Sequence, residues 1–295
     1  VLDLLKRFSY VLDSIWNDPS NRGERGKRIL IFLGWQLWKR IIRLPVIVAT
    51  NNGFRIIAYP DSSVSAAFLY HRAPEAHDIA FLRAHLDGGI FVDVGANVGS
   101  VSLLVADKIS CAILFEPDPV AAARARENIT LNQLPFEVHE LVVSDVQGTV
   151  EFEDAGGANP CNRTVVGFKT TGPTRTVRRI TLDEFLDSQA ITSEIRAVKI
   201  DVEGHENAVI RGMKRLLQDK RPQLVMFEYL QRTNLSEVLA SFQAANYKTF
   251  ELTPKGPSEV RGDVQPLQNL FACPTEIFPT LSATRPQPEF SRNDN

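Results

Sequence analysis

The chain has 295 residues, 44% hydrophobic and 23% charged, which suits one α/β domain with additions and argues against wholesale disorder. A net charge of −2 offers no overall field for gripping a polyanion, so DNA is not an expected partner; Cys111, Cys161 and Cys273 are too few and too scattered for a disulfide framework or a zinc cluster. No stretch reaches the roughly 18 to 20 uninterrupted apolar residues of a membrane span, and Val1 to Tyr10 lack a signal-peptide pattern, so a cytoplasmic location is expected.

Two helical patterns open the chain. In the first, Leu2, Leu5, Phe8, Leu12 and Ile15 recur at helical spacing and stop before Asn17-Asp18-Pro19. The second, Arg22 to Ile42, mixes Ile29, Phe32, Trp35 and Trp38 with Arg22, Arg25, Lys27, Arg28, Lys39, Arg40 and, just beyond, Arg43, against the single acid Glu24. Such a helix either packs on a core with its charges solvated, or serves as a lid or as a peripheral contact with anionic lipid over 22–43. Strand-like Val46 to Ala49 and Phe54 to Tyr59 flank Asn51-Asn52-Gly53, a hairpin signal. Pro74 to Leu86 predicts a helix closed by Gly88-Gly89.

From Ile90 onward strands alternate with helices. The strands are Ile90 to Val94, Ala112 to Glu116, Glu137 to Val143, Ala197 to Asp201, Gln223 to Glu228, Tyr247 to Leu252 and Asn269 to Cys273. The helices are Ser100 to Asp107, Pro119 to Leu131, Glu206 to Gln218 and Ser236 to Ala245. This alternation predicts an α/β fold with a Rossmann-like, seven-stranded, mostly parallel sheet and helices on both faces. Residues 1–73 are expected to form a helical and β-hairpin extension, 74–273 the main α/β domain, and 274–295 a tail. Thr149 to Ser193, including Gly156-Gly157-Ala158-Asn159-Pro160, inserts β-type and loop material near the carboxyl edge of the sheet, where substrates bind.

The strongest motif is Phe91-Val92-Asp93-Val94-Gly95-Ala96-Asn97-Val98-Gly99, a buried strand running into a glycine-bearing turn and a helix. Gly95 and Gly99 let the backbone approach a ligand, and Asp93 can hold a cationic group such as the methionyl ammonium of S-adenosylmethionine (SAM). Asn97 stands where a dinucleotide fingerprint needs glycine. Glu116 follows Asp93 by 23 residues, near the offset of about 20 at which nucleotide folds place a ribose-binding acid. Asp118, ahead of Pro119, suits either ligand contact or a helix cap. Ser144 and Asp145 are candidates for the adenine edge, or a turn. On the fourth strand Lys199, Asp201, Glu203 and His205 concentrate polar groups where a methyl acceptor belongs.

Taken together, FVDVGANVGS (91–100), FEPDP (115–119), ENITLN (127–132), Thr181-Leu182-Asp183, VKIDVEGHE (198–206) and RPQLVMFE (221–228) resemble the FkbM-type methyltransferases over about Pro74 to Tyr229. The resemblance implies SAM as donor and a hydroxyl acceptor on a sugar, glycan or natural product. It carries cofactor roles to Asp93, Gly95, Asn97, Gly99 and Glu116, less directly to Ser144 and Asp145, and places Lys199, Asp201, Glu203 and Gly204 on the family's Lys-x-Asp-x-Glu-Gly segment. Asp201 or His205 is then the candidate base, with Glu203 orienting the acceptor. A metal-assisted variant would use Asp201 and Glu228, but a third ligand has no sequence signal. The alternatives are a non-catalytic SAM-binding or membrane-surface scaffold, and an RNA methyltransferase. Base-amine enzymes resemble one another in an Asn- or Asp-Pro-Pro-aromatic segment at the fourth strand, from which Asp201-Val202-Glu203-Gly204 departs.

Overall fold

The computed structural model describes residues 2–71, 74, 76–153, 163–164, 173–262 and 264–283. At the amino end α1 (Leu2–Asn17) and α2 (Arg25–Ile41) precede the hairpin β1 (Val46–Ala49) and β2 (Arg55–Ala58). Between the helices Asp18 caps a 3-10 turn at Pro19–Asn21 and Gly23 sits at φ +94°, so α2 starts three residues later than its basic run. A helix without a sequence signal follows, α3 (Ser63–Tyr70), whose cap Ser62 accepts from the Ser65 amide. Its Ala66 and Tyr70 close a small core with Ile15, Phe32, Trp35 and Ala58.

Next come α4 (Ala76–Ala84), β3 (Ile90–Val94), α5 (Ser100–Leu104), β4 (Cys111–Phe115), α6 (Pro119–Leu131) and β5 (Phe136–His139). The run continues through β6 (Val142–Val143), β7 (Gly148–Glu153), β8 (Arg163–Thr164), β9 (Thr174–Ile180), α7 (Leu182–Ser188) and β10 (Ile195–Ile200). It ends with α8 (Glu206–Arg211), α9 (Lys214–Gln218), β11 (Leu224–Tyr229), α10 (Leu235–Ala244), β12 (Tyr247–Thr253), β13 (Gly256–Glu259), β14 (Gln268–Pro274) and α11 (Phe278–Ala283).

The main sheet has the order β13-β12-β14-β11-β10-β3-β4-β5; β5 to β11 run parallel, and the three strands beyond β11 pair antiparallel. Side chains alternate cleanly across it. Val92, Ile113, Val198, Val225 and Phe227 enter one buried cluster, while Phe91, Leu114, Ala197, Met226 and Phe271 enter the other. Both faces of the central strands are therefore covered, which explains their near-continuous apolar runs.

Four expectations need correction. The sheet has eight strands, not seven, because β13 folds back onto β12 as an edge. Gly256 and Pro257 hide it from pattern reading, and an edge tolerates proline. The predicted strand Glu137 to Val143 is two: a tight turn, with Leu141 N donating to His139 O at 3.0 Å, sends β6 into a separate sheet of order β6-β9-β7-β8. The predicted helix Glu206 to Gln218 breaks at Gly212, where a Cβ would lie 1.9 Å from the Ser144 carbonyl oxygen. The segment from Pro274 is no tail as far as residue 283, since Leu281 is buried and Phe278 packs on Phe250. Cys161 and the run Gly156 to Pro160 lie outside the described residues.

The hairpin docks on α6 through asparagines of the ENITLN segment. Asn128 accepts from Ile57 N (2.9 Å) and donates to Val98 O (2.9 Å), while Asn132 bonds both backbone groups of Arg55. Asn128, which is buried, thus satisfies polar groups that burial would otherwise penalise, while Asn132 makes its bonds at the surface. Among the described residues no helix is long and apolar enough to cross a membrane.

Candidate active site

The direction of strand succession reverses between β3 and β10: from β3 the chain builds outward to β4 and β5, and from β10 toward β11. A crevice opens outside the carboxyl ends of strands at such a reversal. Here it is a cavity of about 280 Å³ whose polar lining includes Asn97, Glu116, Lys199, Asp201, Glu203, His205 and Glu228. Val64, Phe115, Leu141 and Phe152 are among its apolar walls.

One end is built by the turn after β3. The Gly95 and Ala96 amides donate to Phe115 O at 2.9 and 3.1 Å, tying the turn to β4. Gly95 has φ +77°, and a Cβ there would sit 1.8 Å from the Asp201 carbonyl oxygen, so only glycine lets the β3 and β10 loops come this close. Asn97, at φ +49°, turns its amide onto Glu116 Oε2 at 2.7 Å, and Asp118 N reaches Oε1 at 2.8 Å. Burial raises the Glu116 carboxyl to about 7 in spite of these two donors. Each oxygen keeps a lone pair, so this carboxylate can accept two hydroxyl donors from the cavity.

The other end belongs to β10 and β11. Lys199 donates to Gly95 O at 2.8 Å and lies 3.4 Å from Asp201 Oδ2. Glu206 is buried, and its Oε1 accepts from Gly204 N (2.9 Å) and Val202 N (3.3 Å), folding the turn that presents Asp201 and Glu203. Glu203, at φ +54°, pairs with Arg232 at 2.7 Å. Burial first, then the negative charges of Asp201 and Glu203, push the Glu228 carboxyl well above the usual carboxylate range. Oxygens of Asp201, Glu203 and Glu228 lie within 4.8 Å of one another, so Glu203, expected from the sequence to orient the acceptor, also stands where a third ligand would.

The Methyltransferase FkbM domain profile matches residues 93–249, from the β3 acid into the start of β12. The chain belongs to the FkbM methyltransferase family. SAM is the methyl donor in this family. Hexuronic acid methyltransferase AglP of Haloferax volcanii is 32% identical over 129 residues, covering 43% of this chain and 50% of that protein. The chain thus spans about half the length of this relative. The 2-O-methyltransferase NoeI of Sinorhizobium fredii is 28% identical over 197 residues, covering 59% of this chain and 77% of that protein. The crystal structure of methyltransferase FkbM from Methylobacillus flagellatus KT matches with 13% identity and a TM-score of 0.42, over 63% of this chain and 44% of that one.

Within this FkbM domain the structure brings Gly95, Asn97, Glu116, Lys199, Asp201, Glu203 and His205 to one cavity. Asp93, Gly99, Asp118, Ser144 and Asp145 are not on its lining. Asp93 is fully buried: Ser102 Oγ donates to it at 2.7 Å, and Lys199, its register partner across the strands, stands 3.3 Å away. Lysine therefore meets the charge expected to meet the SAM ammonium. Gly99 (φ +77°) admits α6 rather than a ligand, since a Cβ would meet Leu114 and Ala125 at 3.3 and 3.6 Å. Ser144 follows β6 out of the main sheet, and its hydroxyl meets His205 Nε2 at 3.0 Å; Asp145 pairs with Arg211 at 2.9 Å.

His205 is buried, and that burial depresses its imidazole to about 4, so near neutrality it is uncharged. Asp118 caps α6, accepting from Ala121 N at 2.7 Å. Asp118→Ala is expected to cost about 1 kcal/mol in denaturant unfolding and to leave SAM affinity little changed; a large affinity loss at full stability would restore the ligand role. Sequence reading did not find Val64, Leu141, Phe152 or Arg232, which reach the site from four separate segments with no motif of their own.

Proposed function

We propose that the chain is a SAM-dependent O-methyltransferase acting on a sugar hydroxyl. The observation that carries this reading is that Glu116 and Asp201, the ribose-type acid and the strand-end carboxylate, line the same cavity from the ends of β4 and β10, on either side of β3. The residues fit the donor: a buried carboxylate with free lone pairs faces the cavity, and a glycine whose Cβ position is blocked brings the two loops together. Glu116 would hold the ribose hydroxyls, the Gly95 to Asn97 backbone would line the methionyl and ribose edge, and apolar Phe115, Leu141 and Phe152 would flank the adenine. SAM supplies an electrophilic methyl. What the protein must add is alignment and removal of the acceptor's hydroxyl proton. Asp201 is the base in this proposal, since its carboxylate is half exposed to the cavity, whereas His205 Nε2 is taken by Ser144. Glu203, fixed by Arg232, orients the acceptor.

The sugar acceptor draws support from the two relatives, whose names describe methylation of a hexuronic acid and 2-O-methylation. The test is incubation with methyl-labelled SAM and a panel of hexoside and hexuronoside acceptors, with mass spectrometry for a methyl ether. Label on a sugar hydroxyl supports the proposal; label confined to RNA, or SAM binding without transfer to any acceptor, overturns it.

The carboxylate cluster does not require a metal ion in this mechanism, because Lys199 beside Asp201 and Arg232 on Glu203 already supply positive charge. Transfer is accordingly expected to persist in excess EDTA. Loss of turnover that Mg²⁺ restores would convert the cluster into a metal site and change the role of Asp201.

A further inference from the structure

α2 carries two apolar faces, and the fold uses one of them. Phe32 and Trp35 are buried in the small core with Ala66 and Tyr70. On another side Leu30, Leu33, Leu37 and Ile41 are 70, 42, 59 and 70% exposed. At about 100° per residue these four fall within an arc of about 80°, with Lys27 along one edge and Arg40 along the other. Isolated exposed leucines are ordinary; an aligned row of four on one helix marks a contact surface.

The charge around that row selects the partner. Arg22, Arg25, Lys27, Arg28, Lys39, Arg40 and Arg43 surround the helix, and among the described residues only Arg28 meets a carboxylate, Glu24 at 2.8 Å. The ammonium of Lys39 is depressed, first by burial and then by Arg40 beside it, as expected of crowded cations. A second copy docked face to face would set these cations against their own counterparts, with Glu24 the one acid between Arg22 and Arg43 of each chain. An anionic lipid surface supplies the opposite charge to the rim and an apolar interior to the row. We infer that α2 is a membrane-surface helix that seats the Leu30-Leu33-Leu37-Ile41 row in the headgroup boundary of an anionic bilayer. The inference does not depend on the methyl acceptor.

The contact also bears on the cavity. α3 packs on α2 through the Phe32–Tyr70 ring pair, centroids 5.3 Å apart, and its Val64 lines the cavity. A seated α2 therefore holds the cavity at a fixed attitude to the lipid surface.

The test is co-sedimentation of the full chain with vesicles of phosphatidylcholine alone or with about 30 mol% phosphatidylglycerol. Binding to the anionic vesicles only is expected, weakened about tenfold or more by Leu33→Glu with Leu37→Glu, and likewise by Lys27→Glu with Arg40→Glu. SAM binding and thermal unfolding should match the parent in both pairs, and the charge-reversal pair keeps the test intact if the leucine pair misfolds. No partition onto anionic vesicles overturns the inference. So does equal partition onto neutral ones, or sedimentation showing that the row instead joins two copies or another protein.

Discussion

Replacing Asp201 by Asn is expected to lower kcat for sugar methylation by about 10²- to 10⁴-fold, the range of a lost general base. Asparagine keeps the size and an oxygen for Lys199, which stands 3.4 Å from the carboxylate, so the β10 loop should hold its shape and SAM affinity should stay within about threefold. The loss would then belong to the transition state. His205→Ala makes the informative contrast. That imidazole is already bonded to Ser144 and, depressed to about 4, has little appetite for a proton. Its removal is expected to lower thermal stability, because the buried Ser144 hydroxyl keeps only its bond to Asp145, while kcat changes less than about tenfold. Equal turnover in Asp201→Asn and the parent would sink the assignment; if Glu228→Gln alone were inactive, the proton would pass to the neighbouring β11 carboxylate.

Glu116→Gln should weaken SAM and S-adenosylhomocysteine binding by about 10- to 100-fold, as expected when hydrogen bonds to a charged acceptor are lost in a buried site. The pH dependence follows from its raised carboxyl. Between the ordinary value of 4.5 and about 7, the folded protein holds a proton that the unfolded chain has released. Stability of the ligand-free protein from this group therefore falls as pH rises through that window. Binding runs the other way, because ribose hydroxyls donate to the ionised form. Affinity is expected to rise by up to about tenfold per pH unit below 7 and then level off, with a proton released on binding. Calorimetry with S-adenosylhomocysteine in two buffers of different ionisation heat reads that proton directly, and Glu116→Gln should abolish this component. A flat profile in the parent, or a variant that binds as tightly as the parent, would remove Glu116 from the ribose contact.

Much of this was legible in the chain itself. Central strands covered on both faces print themselves as apolar runs, so β3, β4, β10 and β11 were found to within a residue or two. Motifs at strand ends printed themselves as well, since Gly95, Asn97, Glu116 and Asp201 lie close to the strands that position them. Weak signals failed for identifiable reasons. β13 is a short edge containing Gly256 and Pro257, and α3 spans only 8 residues with apolar side chains on several sides. The strand predicted over Glu137 to Val143 looked continuous because Val138, Leu141, Val142 and Val143 read as one run, though its two parts pair in different sheets.

The sequence by itself determined the order of elements, the glycine turn and the identity of the acids at the strand ends, because each depends on neighbours within a few residues. Tertiary structure alone decided what those acids face. Asp93 turned inward when β10 laid Lys199 opposite it, Ser144 left the cavity when β6 changed sheets, and Glu203 joined Asp201 and Glu228 across two strands. A side chain's electrostatic partner is chosen by register and strand order, and these follow from burying the whole sheet at once rather than from any local run of residues.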